Sequence, residues 1–166
     1  MWNGGVNTKD ILFRAKAINR KEGFEYRTNY KNGDWVYGLI TKKFDDEFPI
    51  LPAEMTNEDG VSGIDVDYKT IGQYTGLTGK NGKKIFEGDI LKISFGKGFL
   101  KAVVKFGYYN QTDKILKSHL GFYFDFVDSE SYRKDVGFWT GKTFSKIEII
   151  GNIHDNPELM GGNTHG

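Results

Sequence analysis

Apolar and polar residues alternate with a period of two over much of the chain, and glycine-rich turns interrupt the alternation. That pattern predicts short, half-buried β-strands. Ile11, Phe13, Ala15 and Ala17 alternate with Leu12, Arg14 and Lys16, which predicts a first strand. Phe24, Tyr26 and Thr28 precede Asn32-Gly33-Asp34, and Trp35 to Ile40 follow it, which predicts a hairpin. Asn-Gly suits such a turn because its two central positions take positive φ. Phe48-Pro49-Ile50-Leu51-Pro52 reads as an edge or a connection, since proline donates no ladder hydrogen bond. The acidic, turn-rich run Glu54 to Gly63 reads as a loop, and Ile64, Val66 and Tyr68 as a strand with one wet face.

From about Lys69 to Gly72 onward the turns become more regular. A second Asn-Gly stands at Asn81-Gly82, followed by Ile85-Phe86, the turn Glu87-Gly88-Asp89, and a strand from Ile90 to Phe95. Gly96-Lys97-Gly98 turns the chain into Leu100, Ala102, Val104 and Phe106, which alternate with Lys101 and Lys105. Gly107 to Leu116 reads as a polar connection, and Phe122, Phe124 and Phe126 as the next strand. Asp128 to Lys134 suits one helical turn, Phe138-Trp139 a short apolar stretch, and Lys146 to Ile150 a last strand, with Gly151 marking a bulge. No amphipathic helix of ordinary length is predicted. Roughly five short strands between Gly72 and Pro157 suggest a sandwich or a small barrel that closes on itself and so hides its edges.

Composition agrees with a β-rich chain. Aromatic residues make up 15% of the 166 positions and favour pleated, half-buried surfaces, while 22 glycines supply turns. Lys plus Arg (23) nearly balances Asp plus Glu (22), so the chain lacks the global positive field of a non-specific nucleic-acid binder. The near-zero charge also leaves self-association electrostatically unopposed. The absence of cysteine excludes disulfides, thiolate metal sites and a cysteine nucleophile. Met1 to Asp10 holds no apolar run of signal length, and no stretch reaches the roughly 20 apolar residues of a membrane helix, so a cytoplasmic location is expected.

Two blocks resemble the signature of a known family. Ile71-Gly72-Gln73-Tyr74-Thr75-Gly76-Leu77, continuing through Lys80-Asn81-Gly82-Lys83-Lys84-Ile85-Phe86-Glu87-Gly88-Asp89-Ile90, is one. Ile149-Ile150-Gly151-Asn152-Ile153-His154-Asp155-Asn156-Pro157-Glu158-Leu159 is the other, with support from Phe13-Arg14-Ala15 and Val36-Tyr37-Gly38-Leu39-Ile40. On these residues the sequence resembles the YopX family of phage and prophage proteins of Gram-positive bacteria. The resemblance implies a C-terminal SH3-like barrel. It implies no activity and transfers no catalytic residue.

Candidate chemistry is sparse. Gly141-Lys142-Thr143 resembles the end of a phosphate-binding loop, but Gly137 and Gly141 enclose three residues where the motif needs four. Gly96-Lys97-Gly98 lacks the third glycine of a dinucleotide fingerprint and reads as a turn. His119, His154 and His165 lie too far apart for a usual metal spacing, and no nucleophile motif accompanies His154-Asp155. Asp65 and Asp67 share a strand face, where a solvated edge is the simpler reading than a cation site. Lysine with aromatics is the pattern by which small barrels hold single strands. Lys80, Lys83 and Lys84 around one turn, Lys101 and Lys105 on one strand face, and Tyr108 with Tyr109 form the candidate nucleic-acid or partner face.

The sequence, with the resemblance, therefore predicts a mainly β protein: a loose N-terminus (1–10), a smaller β-rich part (11–71), an SH3-like barrel (72–157) and a loose C-terminal tail (158–166). It predicts a non-enzymatic phage or prophage accessory protein with no catalytic residue, metal or cofactor. The expected partner is a phage or host protein, or a second copy of the chain, with nucleic acid as the alternative and no membrane.

Overall fold

A computed structural model describes residues 11–18, 29–42, 53–95, 97–110, 118–127, 134–140 and 146–161. These residues are mostly β-strand and fall into two compact units that divide between Tyr74 and Thr75. No helix among them is long and apolar enough to cross a membrane.

The first unit contains β1 (Phe13–Lys16), β2 (Trp35–Lys42), β3 (Ala53–Asn57), β4 (Ile64–Val66) and the start of β5 (Gly72–Thr78), in the antiparallel order β4-β3-β2-β1-β5. Alternation builds its core: Ala15, Val36, Met55, Ile64 and Val66 point to one side and are buried together. The turn at Asn32-Gly33 leads into β2, with Gly33 at φ +89°. Among the described residues the partner of β2 on this side is β1, with Lys16 opposite Trp35. The predicted hairpin arm Phe24–Thr28, and the proline-bounded stretch 48–52, lie outside the described residues.

One prediction is corrected here. The run read as an acidic loop from Glu54 forms β3, because Ala53, Met55 and Asn57 are buried on alternate positions while Glu54 and Thr56 point outward. The charges masked a period-two pattern. The loop proper starts at Asn57, whose side-chain oxygen accepts hydrogen bonds from the backbone N–H of Asp59 (3.1 Å) and Val61 (2.8 Å).

The second unit contains the rest of β5, β6 (Lys84–Phe86), β7 (Asp89–Phe95), β8 (Gly98–Asn110), β9 (Ser118–Phe126), the helical turn α1 (Val136–Thr140) and β10 (Ile147–Asn152). Its main sheet is antiparallel in the order β10-β7-β8-β9. The core is the face where Leu91, Ile93, Ala102, Val104, Phe124, Phe126 and Ile147 converge. Ile85 and Leu77 from the β5–β6 hairpin and Trp139 from α1 pack against that face. The Asn81-Gly82 turn behaves as its sequence predicts: both residues take positive φ, +77° and +71°.

The sheet is open, whereas closure into a barrel was expected from the resemblance. Closure needs the edge strands to bond to one another or to a bridging strand. Here β6 is held beside β5 instead: Thr75 Oγ1 donates to the Ile85 carbonyl at 2.8 Å, and Gly79 N–H to the Lys83 carbonyl at 2.8 Å. Two further departures concern length. The stretch after Gly107, read as a polar connection, continues β8 to Asn110, because each residue finds a partner in β9. Residues 158–160, placed in the loose tail that was expected from residue 158, form with Pro157 a 3-10 turn whose Leu159 carbonyl accepts from Lys101 Nζ.

Candidate functional site

Two regions of the second unit concentrate the residues that the sequence singled out. In the first, the two signature blocks meet. β10 pairs with β7 so that Gly151 lies opposite Ile90 and Asn152 opposite Asp89, with a register shift between Ile149 and Gly151 where the bulge was expected. Ile153 N–H donates to the Gly88 carbonyl at 2.9 Å. Asn152 Oδ1 accepts from the backbone N–H of His154 and Asp155, both at 3.0 Å, and its amide donates to Asp155 Oδ2 at 2.8 Å. A Cβ on Gly151 would stand 2.5 Å from Asn156 Oδ1, so any larger residue there must displace the Asn156 side chain. Asp89 is buried and its Oδ2 accepts from Phe86 N–H at 2.8 Å, which fixes the Glu87-Gly88 turn. The polar side chains of the two blocks thus hold two turns together. His154 serves this turn through its backbone N–H and Asp155 through both its N–H and its carboxylate, and Asp67 caps the 3-10 turn Tyr68–Thr70 by accepting from Lys69 N–H. Among the described residues no group of three or more His, Cys, Asp or Glu side chains is placed to hold a metal ion.

The second region is the outer part of β8 and β9. β7 accompanies β8 only as far as Val103. Beyond it, Lys105 to Asn110 pair with Tyr123 to Ser118 as a ribbon roughly 20 Å long at the usual rise per residue. Two strands alone are marginally stable and rely on cross-strand side-chain pairs. The ribbon has them on both faces, and the faces differ.

One face extends the apolar stripe of the core. Val104 lies opposite Phe124, Phe106 opposite Phe122, Tyr108 opposite Leu120, and Asn110 opposite Ser118. Phe106 and Phe122 meet edge to face at 5.1 Å. Phe122 still touches the core, but Phe106 is 49% exposed, Leu120 60% and Tyr108 76%. Among the described residues of the ribbon, this face carries no ionisable group apart from the tyrosine hydroxyl.

The other face is polar and aromatic. Gly107 and Gly121 stand opposite each other here, at φ +152° and +158°, with open space where a Cβ would be. The Tyr109 ring stacks on His119 at 5.4 Å and on Tyr123 at 5.2 Å, nearly parallel to both. Tyr109 and Tyr123 stand on either side of the glycine pair along this face, and their rings meet with no side chain between them. Asp125 receives hydrogen bonds from Lys105 and, at 3.0 Å, from Lys134. Partial burial opposes its charge, but the two lysines outweigh that cost and hold its carboxyl below its ordinary range. The same hydrogen bond to Asp125 raises Lys105 above its ordinary value, against a smaller opposing effect of burial.

The predicted face is thereby divided. Lys80 and Lys83 flank the Asn81-Gly82 turn, and Lys84 opens β6, all three exposed. That turn sits beside β10, with Gly79 against the Ile147 carbonyl, on the side of the sheet away from β9. Lys101, Lys105 and Tyr109 do share one face of β8, while Tyr108 points to the opposite face. The sequence reading missed Phe106, Leu120 and Phe122 as a surface, and His119, Tyr123, Asp125 and Lys134 as neighbours of Lys105 and Tyr109. The available signal was the alternation of Phe106, Tyr108 and Asn110 across Gly107, which was read as a strand end.

The family model for YopX proteins matches residues 12–161, nearly the whole chain. This chain belongs to the YopX family. In this YopX-family chain the two signature blocks are joined at the β7–β10 turns, with the ribbon outside them. The chain is also similar to a solved structure described as protein EF1440 from Enterococcus faecalis, at 25% identity and a TM-score of 0.42, over 78% of this chain and 91% of that one. No curated protein is similar enough to match.

Proposed function

We propose that this YopX-family protein is a binding module rather than an enzyme, acting as an accessory protein of a phage or prophage, and that it binds protein through the apolar face of the β8–β9 ribbon. The observation that carries the reading is the run of Phe106, Tyr108 and Leu120 left outside the core on one face. The largest exposed apolar patch on a protein surface, typically about 300–600 Å², is often functional. The occupant this face suits best is a second copy of the chain. A two-fold contact sets the same patch against itself, and Phe106, Tyr108 and Leu120 carry no charge to repel their own copies. Its exposed side chains amount to roughly 400 Å² per copy, about half a standard interface, so the association is reversible.

Light scattering on the purified protein over a range of concentrations tests this. A mass that rises with concentration, and falls back in Tyr108→Glu, supports it. A protein that stays monomeric, and is not recruited by a phage or host protein through the same residues, overturns it.

A further inference from the structure

The opposite face of the ribbon has a different chemistry. Three rings, His119, Tyr109 and Tyr123, run along it in a stack, and two ammonium groups, Lys105 and Lys134, converge on the one carboxylate of Asp125 beside the stack. Among the described residues, Lys101, Lys105 and Lys134 stand against two carboxylates, Asp125 and the Asp135 that pairs with Tyr123, and so leave one positive charge in excess beside an aromatic surface. Lys101 extends the row: Lys101, Lys105 and Tyr109 recur every four residues on this side of β8, roughly 14 Å apart. Lys101 is tethered to the Leu159 carbonyl, which leaves the Lys105–Tyr109 segment as the more open part.

We infer that this face binds single-stranded nucleic acid, the Tyr109 stack receiving bases and Lys105 and Lys134 the adjoining phosphates. Rings accept any base because every base has a π-face, and lysines neutralise a backbone without reading sequence. A protein partner is the weaker fit on this side, because interface centres are depleted in lysine and aspartate. The ligand is a single strand rather than a duplex, since stacking on a ring needs an unpaired base. Asp125 restrains the site: it occupies both lysines until phosphates compete for them. The inference stands on the polar face and does not depend on association through the apolar one.

The test is fluorescence anisotropy with labelled oligo-dT and oligo-rU, at low salt and again at tenfold higher salt, on the whole protein. Both oligonucleotides are expected to bind, and the tenfold rise in salt to loosen them by roughly 25- to 125-fold, as two to three neutralised phosphates require. Tyr109→Leu weakens binding by roughly 5- to 100-fold, and Tyr109→Phe restores it. Lys83→Gln, on the other side of the sheet, and Tyr108→Ser, on the other face, change affinity by less than about twofold. Asp125→Asn frees two lysines and tightens binding by about 3- to 10-fold, a gain that misfolding cannot mimic. No binding at low salt overturns the inference. So does binding that Lys83→Gln weakens as much as Tyr109→Leu, or an Asp125→Asn protein of unchanged melting temperature that binds no tighter.

Discussion

Gly107 lies directly opposite Gly121 in the β8–β9 ladder, both at strongly positive φ, and the Tyr109 and Tyr123 rings on either side of the pair stack on one another. The pair does two things. It lets the ribbon adopt a backbone geometry that side chains resist, and it clears the space over which Tyr109 joins His119 to Tyr123. The two faces of the ribbon are therefore built differently: one closes on itself as a ring stack, and the other leaves its apolar side chains to the outside.

Gly107→Ala and Gly121→Ala are each expected to lower stability by about 1–3 kcal/mol through backbone strain, although a Cβ has room at both positions. Chemical denaturation measures the loss. A neutral result for both would show that the positive φ is not required.

Gly151→Ala places a methyl group 2.5 Å from Asn156 Oδ1 at the join of the two signature blocks. Relief requires breaking the hydrogen bond from Asn152 N–H to Asn156 Oδ1. The expected cost is about 1–3 kcal/mol, with a similar cost for Asn152→Ala, which leaves the N–H groups of His154 and Asp155 without their acceptor. Denaturation curves for the two variants check this, and an unaltered midpoint for Gly151→Ala would mean the turn repacks freely.

Much of the fold was legible in the alternation. Ala15, Val36, Leu91, Ile93, Ala102, Val104 and Phe124 all lie where period two places them, and Asn81-Gly82 turns as its residues dictate. The misreadings share a cause: composition was allowed to overrule period. Glu54 sits between buried Ala53 and Met55, and the polar-aromatic Tyr108-Tyr109-Asn110 continues a strand, because cross-strand partners far along the chain supply what the local residues lack. Ile11 shows the converse, an apolar residue at a predicted core position that is exposed while Leu12 is buried. The site was legible only in part. Period two puts Lys101, Lys105 and Tyr109 on one face, but nothing local says that Asp125 and Lys134 arrive beside them from β9 and from the segment after it.

Asp125 gives the ribbon a defined pH response. Its pKa in the folded protein lies below its ordinary value, so its contribution to stability is present above that ordinary value, near pH 4, and is lost as pH falls through the lower folded value. Lys105 is raised in the folded protein, so its contribution is full below about pH 10.5 and is lost as pH rises through the higher folded value. Thermal melts across pH should show Asp125→Asn abolishing a small part of the acid-side loss, small because the pair is partly exposed and screened. An identical acid limb in Asp125→Asn would mean the carboxylate contributes nothing.

Met55 is fully buried at the centre of the first unit. Met55→Ala is expected to cost about 2–5 kcal/mol, whereas Tyr108→Glu on the open face of the ribbon should stay within about 0.5 kcal/mol. Paired denaturation curves separate a core residue from a surface one. A large loss at Tyr108 would mean its ring is part of the folded core.

The central claim is that the apolar face of the ribbon is a contact surface, and sedimentation velocity over a wide concentration range tests it most directly. Wild-type protein is expected to sediment faster as concentration rises, and Tyr108→Glu with Leu120→Lys to hold at the monomer value with an unchanged melting temperature. Wild type and double variant sedimenting alike as monomers would contradict self-association through Phe106, Tyr108 and Leu120, and wild type and double variant sharing the same larger mass would place the contact elsewhere on the molecule.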